Sequence, residues 1–337
     1  MKRILSIFVS ALLLPALLSG GVVKKTKSEV SFKGMGKFTS QQEIRITGDK
    51  KMTDSKDKFK GEGILGKTLG SAFLKSGETG EIINLTEMMI YDLNHKAKEY
   101  KIRAIEKLEA GTDSGDVEAV QDEDTEEEES SIRIIKSEFG VNDTGEQKTI
   151  NDFPCQKYIV TWLTEWENME TGEKGTDRLS TDVWATPLSD DLRQAQEQEN
   201  QFNREYMKRL GFDVDELQQA ILGTNWMSIL SSVGQGGVQP RSGGTDFGSE
   251  MKKIEGYPVV IDGKYFAKRE GGPADEKAEE GGGLKGKLGR FAKKAVSGDK
   301  KDSNEPAFTY YTEVIELDPA SVGDDTFQVP AGYKKKD

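Results

Sequence analysis

The sequence predicts an α+β fold in which an antiparallel sheet is covered by amphipathic helices. Three observations support this. Apolar and polar residues alternate through most of the N-terminal half, as in half-buried strands. A block over 189–233 changes to helical spacing, and alternation returns over 308–317. Strands, then helices, then strands again along one chain indicate an α+β domain with helices on the sheet.

Alternating pairs such as Val30 with Phe32 and Ile44 with Ile46 predict strands joined by short turns. Turn signals at Gly48-Asp49 and Thr171-Gly172 favour an antiparallel meander. The clearest strand is 157–166. Its apolar side chains on one side are Tyr158, Val160, Trp162 and Trp166, and those on the other are Ile159 and Leu163. Apolar residues on both sides predict a central strand covered on both faces.

Three amphipathic helices are predicted in the block between the strands. The first, 190–210, is capped by Ser189 and ended by Gly211, with apolar positions at Leu192, Ala195, Phe202, Tyr206 and Leu210. Asp213 followed by Glu216 resembles a capping box and predicts a second helix over 213–222. A third short helix carries Trp226, Ile229, Leu230 and Val233. All three need an apolar surface, which the inner face of a curved sheet would supply.

The first twenty-one residues have the layout of a secretory signal peptide. Lys2 and Arg3 precede an apolar run from Ile4 to Leu18, and small residues follow at Ser19-Gly20-Gly21. The run is shorter than the ~20 residues that a helix needs to cross a bilayer. We expect cleavage near Gly21 and a soluble periplasmic protein that begins near Val22. No cysteine follows Gly21, so lipoprotein anchoring at this site is not expected.

The remaining residues, 22–337, are predicted to form one domain with disordered insertions at 110–131 and 268–306. Both segments offer little apolar surface to offset the entropy lost on ordering. The acidic run 113–129 lacks the glycine-punctuated spacing of a calcium loop and is interpreted as solvated. Segment 284–297 is basic, with apolar residues on one helical face, and suits an anionic membrane or a partner protein. A mobile insertion is the alternative, because two glycines weaken that helix.

Charge and cysteine content exclude several classes of protein. The formal net charge of −12 makes nucleic acid an unsuitable partner, because phosphate binding needs an excess of lysine and arginine. The single cysteine, Cys155, cannot form a disulfide within the chain. An exported chain without disulfides is expected to have an ordinary hydrophobic core rather than a small cross-linked scaffold.

One segment of the sequence matches a nucleotide-binding motif, but we reject that function for it. Residues 61–68, GEGILGKT, match the phosphate-loop pattern, with Lys67 and Thr68 in register. The preceding DSKDKFK is not a buried strand, and the distance to MMIYD (88–92) is short for a parallel crossover. A glycine-rich turn leading into a short helix over 64–74 explains the match.

The other reactive side chains do not form a recognisable catalytic set. The only histidine, His95, lies in a predicted exposed turn, and one histidine with one cysteine cannot form the usual zinc sites. No nucleophile elbow accompanies His95. Cys155, at the start of a strand, is predicted to be buried rather than nucleophilic. We therefore expect a protein that is not an enzyme, with no cofactor and no metal site.

The order of several segments resembles an uncharacterised family of exported bacterial proteins related to the lipoprotein-carrier-like (LolA-like) half-barrels. The matching segments are MIYDLNHKAKEY (89–100), INDFPCQKYIVTW (150–162), DVWATPLS (182–189), GYPVVI (256–261) and TFQVPAGYKKK (326–336). The resemblance implies a strongly curved antiparallel half-barrel with helices on its concave face, and it implies no catalytic residues. Relatives with that fold carry lipid or acyl groups between sheet and helices, and the step from there to lipid binding here is an analogy of fold.

The functional expectation is an envelope protein that binds a lipid or another apolar ligand between sheet and helices. The candidate lining residues are Tyr158, Val160, Trp162, Phe202, Tyr206, Trp226, Met227 and Leu230. Ordinary core packing explains the same residues without a ligand. The alternative is a structural or interaction component of the envelope that uses its charged insertions to contact partners.

Overall fold

The computed structural model describes residues 20–62, 76–107, 132–211, 247–271 and 305–336. The strands are β1 (Gly20–Phe32), β2 (Gly36–Thr47), β3 (Lys50–Gly61), β4 (Gly77–Asn84), β5 (Met89–Asn94), β6 (Glu99–Ala104), β7 (Ile132–Ile150), β8 (Phe153–Asn168), β9 (Lys174–Thr186), β10 (Tyr257–Glu270), β11 (Phe308–Ser321) and β12 (Lys334–Lys335). The helices are α1 (Asp190–Arg209), α2 (Phe247–Met251) and a short 3-10 helix (Asp324–Phe327).

The twelve strands of the described residues form one open, curved sheet. Their order is β12-β6-β5-β4-β3-β2-β1-β11-β10-β9-β8-β7. Every neighbouring pair is antiparallel except β12 with β6. Strand β11 lies between β1 and β10 and so joins the N-terminal meander to the later strands. The predicted antiparallel sheet is confirmed.

The strand predicted over 157–166 lies second from the sheet edge rather than at its centre. It forms part of β8, between β7 and β9. The two strands at the centre are β2 and β1, because the last long strand, β11, returns to pair with β1 along its whole length and the later strands follow beyond it. Such a pairing joins residues almost three hundred positions apart, and a local pattern contains no information about it.

The two edges of the sheet differ. At one edge, the two residues of β12 pair with β6 and cover its outer side. At the other edge, β7 is interrupted by irregularities at Ile134/Lys136 and Asp143/Gln147. Bulges on an edge strand limit its pairing with another chain.

Helix α1 forms where the sequence predicts its first helix, over 190–210. The Ser189 hydroxyl accepts a hydrogen bond from the Leu192 amide at 3.2 Å, as an N-cap does. Acidic residues occupy the first turn and basic residues the last, which matches the helix dipole. The helix packs on the sheet across β11, β1 and β2. The helices predicted over 213–222 and around Trp226 lie outside the described residues, as do the insertion 110–131 and most of 268–306.

Four groups of buried side chains hold these layers together. The largest lies between α1 and the sheet. The second lies beneath α2, and the third lies under the C-terminal segment that follows β11. The fourth is an aromatic cluster, whose buried members are Leu179, Phe308 and Tyr310.

Two glycines in the sheet make room for aromatic rings on the neighbouring strand. Gly263 of β10 pairs with Tyr310 of β11, and a Cβ at Gly263 would overlap the Tyr310 ring. Gly175 of β9 stands in the same relation to Trp166 of β8. The Tyr310 hydroxyl also shares a hydrogen bond of 2.6 Å with the Thr181 hydroxyl, which fixes the ring over Gly263.

We expect Gly263→Ala to lower the free energy of unfolding by about 1–3 kcal/mol, because the added methyl displaces the Tyr310 ring from a packed cluster. Gly140→Ala is the matched control, since its Cβ would lie 3.8 Å from Thr161 Oγ1, an ordinary contact. Urea denaturation of both variants measures the difference. Equal stability of the two variants would show that the Tyr310 ring does not depend on Gly263.

Candidate functional site

A row of paired side chains beneath α1 is apolar except at one position. Across five strands the paired residues are Val22, Ile46, Lys51, Ile83 and Ile90. The four apolar members are buried. Lys51 therefore occupies a position at which the four other residues of the row would predict an apolar side chain.

On α1, Glu199 faces the sheet and contacts side chains of two strands. Its Oε1 lies 2.8 Å from Lys24 Nζ on β1, and its Oε2 accepts a hydrogen bond from the Tyr257 hydroxyl on β10, also 2.8 Å. The Lys24 ammonium also lies 5.5 Å from the centre of the Tyr257 ring. We call Glu199, Lys24 and Tyr257 the helix clamp.

The helix clamp is a desolvated ion pair. The side chains of Lys24 and Glu199 are only 19% and 13% exposed. Burial opposes the charge on Lys24, but the charge and hydrogen-bond contributions of Glu199 and Tyr257 together outweigh it, so the pKa of Lys24 stands above its ordinary value. Burial also raises the pKa of the Tyr257 hydroxyl, which stays protonated and donates to Glu199. Removing one partner of such a pair leaves the other charge uncompensated.

Lys51 has no counterpart of this kind in the described part of the chain. It is half-buried, and its Nζ lies 5.9 Å from the centre of the Phe202 ring of α1. Burial lowers the pKa of Lys51, and the neighbouring Lys24 cation lowers it further. Glu81 and Glu199 raise it without reversing the shift. The ammonium is thus held in a poorly solvated place without a carboxylate in contact.

The carboxylates that lie nearest are already bound to other cations. Both oxygens of Glu199 are used by the helix clamp. Glu81 pairs with Arg103 at 2.8 Å, and the same guanidinium holds Asp92 at 2.9 Å. The combination of an apolar interface and one uncompensated cation suits an anionic oxygen that is carried on an apolar molecule.

The structure distributes the sequence-predicted lining residues over three places. Phe202 and Tyr206 lie on α1 against the sheet, with ring centres 6.2 Å apart. Tyr158 and Val160 pack in the cluster beneath α2, and Trp162 packs against the aromatic cluster. The three remaining candidates, Trp226, Met227 and Leu230, lie outside the described residues.

Two hollows contact these candidates, and both lie away from α1. A cavity of about 10 Å³ is lined by Val160, Thr181, Val183, Met251, Ile254, Pro258 and Ile261. It has room for about one water molecule. A depression of about 320 Å³ that opens to solvent is lined by Glu138, Phe139, Gly140, Thr161, Trp162, Leu163 and Arg178.

The structure also shows the surroundings of Cys155 and His95, two residues that the sequence analysis considers. Cys155 is 3% exposed, as predicted, and burial raises the pKa of its thiol to about 11. His95 is not the exposed turn residue that we expect. Its Nδ1 lies 2.7 Å from the Tyr333 hydroxyl and its Nε2 lies 2.9 Å from Asp54, because the C-terminal segment folds over it.

Sequence reasoning misses Lys24, Lys51, Glu199 and Tyr257. One signal was available for Lys51. The two-residue turn Gly48-Asp49 pairs Thr47 with Lys50, which places Lys51 directly opposite the buried Ile46. No comparable signal links Lys24, Glu199 and Tyr257, since they come together only when α1 packs across β11.

Comparisons with known protein families, with characterised proteins and with solved structures find no match for this chain. Among the described residues, no helix is both long and apolar enough to cross a membrane.

We expect Glu199→Gln to lower the free energy of unfolding by about 3–5 kcal/mol, because it leaves the Lys24 ammonium buried without its counter-ion. Glu197→Gln on the exposed side of α1 is the control and should change stability by less than about 0.5 kcal/mol. Urea melts followed by circular dichroism compare the two. If both variants unfold at the same urea concentration, the helix clamp does not hold α1.

Proposed function

We propose that this chain is an exported, non-enzymatic protein of the cell envelope that binds a lipid or another apolar ligand between α1 and the sheet. The observation that carries the proposal is the position of Lys51, a lysine without a contacting carboxylate among the described residues, in a row of buried apolar side chains beneath α1. A cation in that position lowers stability and is accounted for if it serves binding. The resemblance to lipoprotein-carrier-like half-barrels supports the same location, with helices on the concave face.

In this proposal α1 acts as a cover that is held at two points. The helix clamp holds its middle, and Arg209 at its C-terminal end donates to the Leu85 carbonyl at 2.6 Å. Neither hollow described above lies beneath α1, so a ligand would enter by displacing the Phe202 ring from the sheet. Movement of a packed cover over a binding site is a common way to admit a ligand and exclude water.

A second candidate function is a structural or interaction component of the envelope without a small-molecule ligand. The close packing of α1 favours it, since Ala195 and Phe202 are almost completely buried against the sheet. In that case partners would be proteins or an anionic membrane surface, contacted through charged segments such as 284–297.

Export is tested by the N-terminus of the protein in its own host. We expect N-terminal sequencing of the purified protein to give a start near Val22, and fractionation to recover the protein with the soluble periplasmic contents. A protein that retains Met1 in the cytoplasm would contradict the proposal of export.

Ligand binding is tested with an uncharged fluorescent apolar probe and the variant Phe202→Ala. If the ligand occupies the place of the Phe202 ring, the variant should bind the probe more tightly than the wild type, although it loses about 3–5 kcal/mol of stability. Phe308→Ala, which removes an equally buried ring from the aromatic cluster, is the control.

Saturable binding that rises only in Phe202→Ala supports the carrier function. A native mass spectrum of the protein from its own host gives independent evidence, since a co-purifying lipid favours this function and a co-purifying protein favours the second candidate. Loss of stability without any probe binding would leave Phe202 as ordinary core.

A further inference from the structure

Among the described residues, no carboxylate near Lys51 forms an ion pair with it. Glu199 is shared between Lys24 and Tyr257, and Glu81 is shared with Arg103. The strand neighbours of Lys51 on either side are Ile46 and Ile83, which offer no side-chain acceptor. None of the described residues supplies a carboxylate in contact with this ammonium, so an acidic partner would have to come from elsewhere.

The missing acceptor must satisfy two conditions. It must be anionic, because the partner is a lysine whose charge is poorly solvated and further opposed by Lys24. It must also be attached to an apolar body, because Phe202 and the isoleucines of the row border Lys51. Free phosphate or a free metal complex does not meet the second condition.

Resting on the function proposed above, we propose that the ligand is an acidic amphiphile whose carboxylate or phosphate pairs with Lys51 while its tail lies between α1 and the sheet. Lys51 keeps some solvent accessibility, so an acidic group can reach it from outside. The Lys24 cation adds a second favourable charge without releasing Glu199. Binding of the acid replaces the solvation that Lys51 loses in the fold, and the alkyl tail replaces contacts of the Phe202 ring.

The decisive variant is Lys51→Met in the full chain, with Lys58→Met as the matched control. Lys58 lies on the same strand but is exposed. The probes are dodecanoate and dodecan-1-ol, which share the tail and differ in charge, with dodecyl phosphate as a third ligand. Isothermal titration calorimetry at neutral pH measures each affinity.

We expect the wild type to bind dodecanoate at least about tenfold more tightly than dodecan-1-ol, a difference of about 1.4 kcal/mol. Lys51→Met should abolish this preference and keep the affinity for the alcohol, whereas Lys58→Met should change neither. Tighter binding of dodecyl phosphate than of dodecanoate would identify a phospholipid type of head group, and the reverse order would identify a fatty acid.

The failures of the two proposals are distinguishable. Equal binding of acid and alcohol by the wild type would overturn the acidic head group and leave the apolar binding function in place. Binding of neither probe would overturn both. A preference for the acid that survives Lys51→Met would show that another cation recognises the head group.

The stability of Lys51→Met provides a check that the variant folds. The folded-state pKa of Lys51 is lowered, so in the window below the ordinary lysine pKa the unfolded chain binds a proton that the folded chain releases. Charged Lys51 therefore lowers the stability of the wild type at neutral pH, and this loss disappears as the pH rises through that window. We expect Lys51→Met to raise the urea midpoint at neutral pH, with a smaller gain at alkaline pH.

Discussion

The contact of Glu199 with Lys24 and Tyr257 determines how the two layers of this protein meet. The two partners of Glu199 belong to β1 and β10, which flank β11 in the sheet. One carboxylate on α1 therefore spans β11, the strand that joins the N-terminal meander to the later strands. With the helix across β11, Glu199 reaches both partners while Leu192, Ala195 and Phe202 are buried. A desolvated pair of this kind adds little net stability and instead fixes one arrangement.

The same arrangement gives Lys51 its unusual surroundings. With α1 in place, Phe202 packs in the same cluster as the apolar residues of the row from Val22 to Ile90, and its ring lies 5.9 Å from Lys51 Nζ. The two oxygens of Glu199 contact Lys24 and Tyr257, and Glu199 acts on Lys51 only through its charge, without contact. A protein selected for stability alone would place an apolar residue there. Under the proposed binding function, the lysine follows the general relation in which binding residues reduce stability.

Local features of the fold were predictable, and long-range ones were not. The Ser189 cap and the helical spacing of Leu192, Ala195 and Phe202 give α1 correctly, because capping and periodicity act within a few residues. The insertion of β11 between β1 and β10 depends on pairing between distant segments, so the strand over 157–166 was wrongly placed at the centre. His95 was assigned to an exposed turn because the sequence around it does not show that the C-terminal segment returns to cover it.

The candidate site was less predictable than the fold, for a physical reason. In an alternating strand, lysine is normally interpreted as part of the solvent face, and Lys24 and Lys51 fit that interpretation. Their burial depends on α1, whose glutamate is equally ordinary on a helix. The predicted residues Phe202 and Tyr206 do lie at the helix–sheet interface, while Tyr158, Val160 and Trp162 serve other clusters. Sequence patterns located apolar positions but not the polar residues buried among them.

The central claim is that the described protein provides Lys51 with no counter-ion and that an acidic ligand does. A titration of lysine side-chain resonances by nuclear magnetic resonance, with Lys51 assigned by its loss in Lys51→Met, tests this directly. The account predicts that Lys51 titrates below the other lysines in the free protein, and that its pKa rises when dodecanoate is bound. A Lys51 resonance that titrates together with those of exposed lysines such as Lys58, in both states, would contradict it.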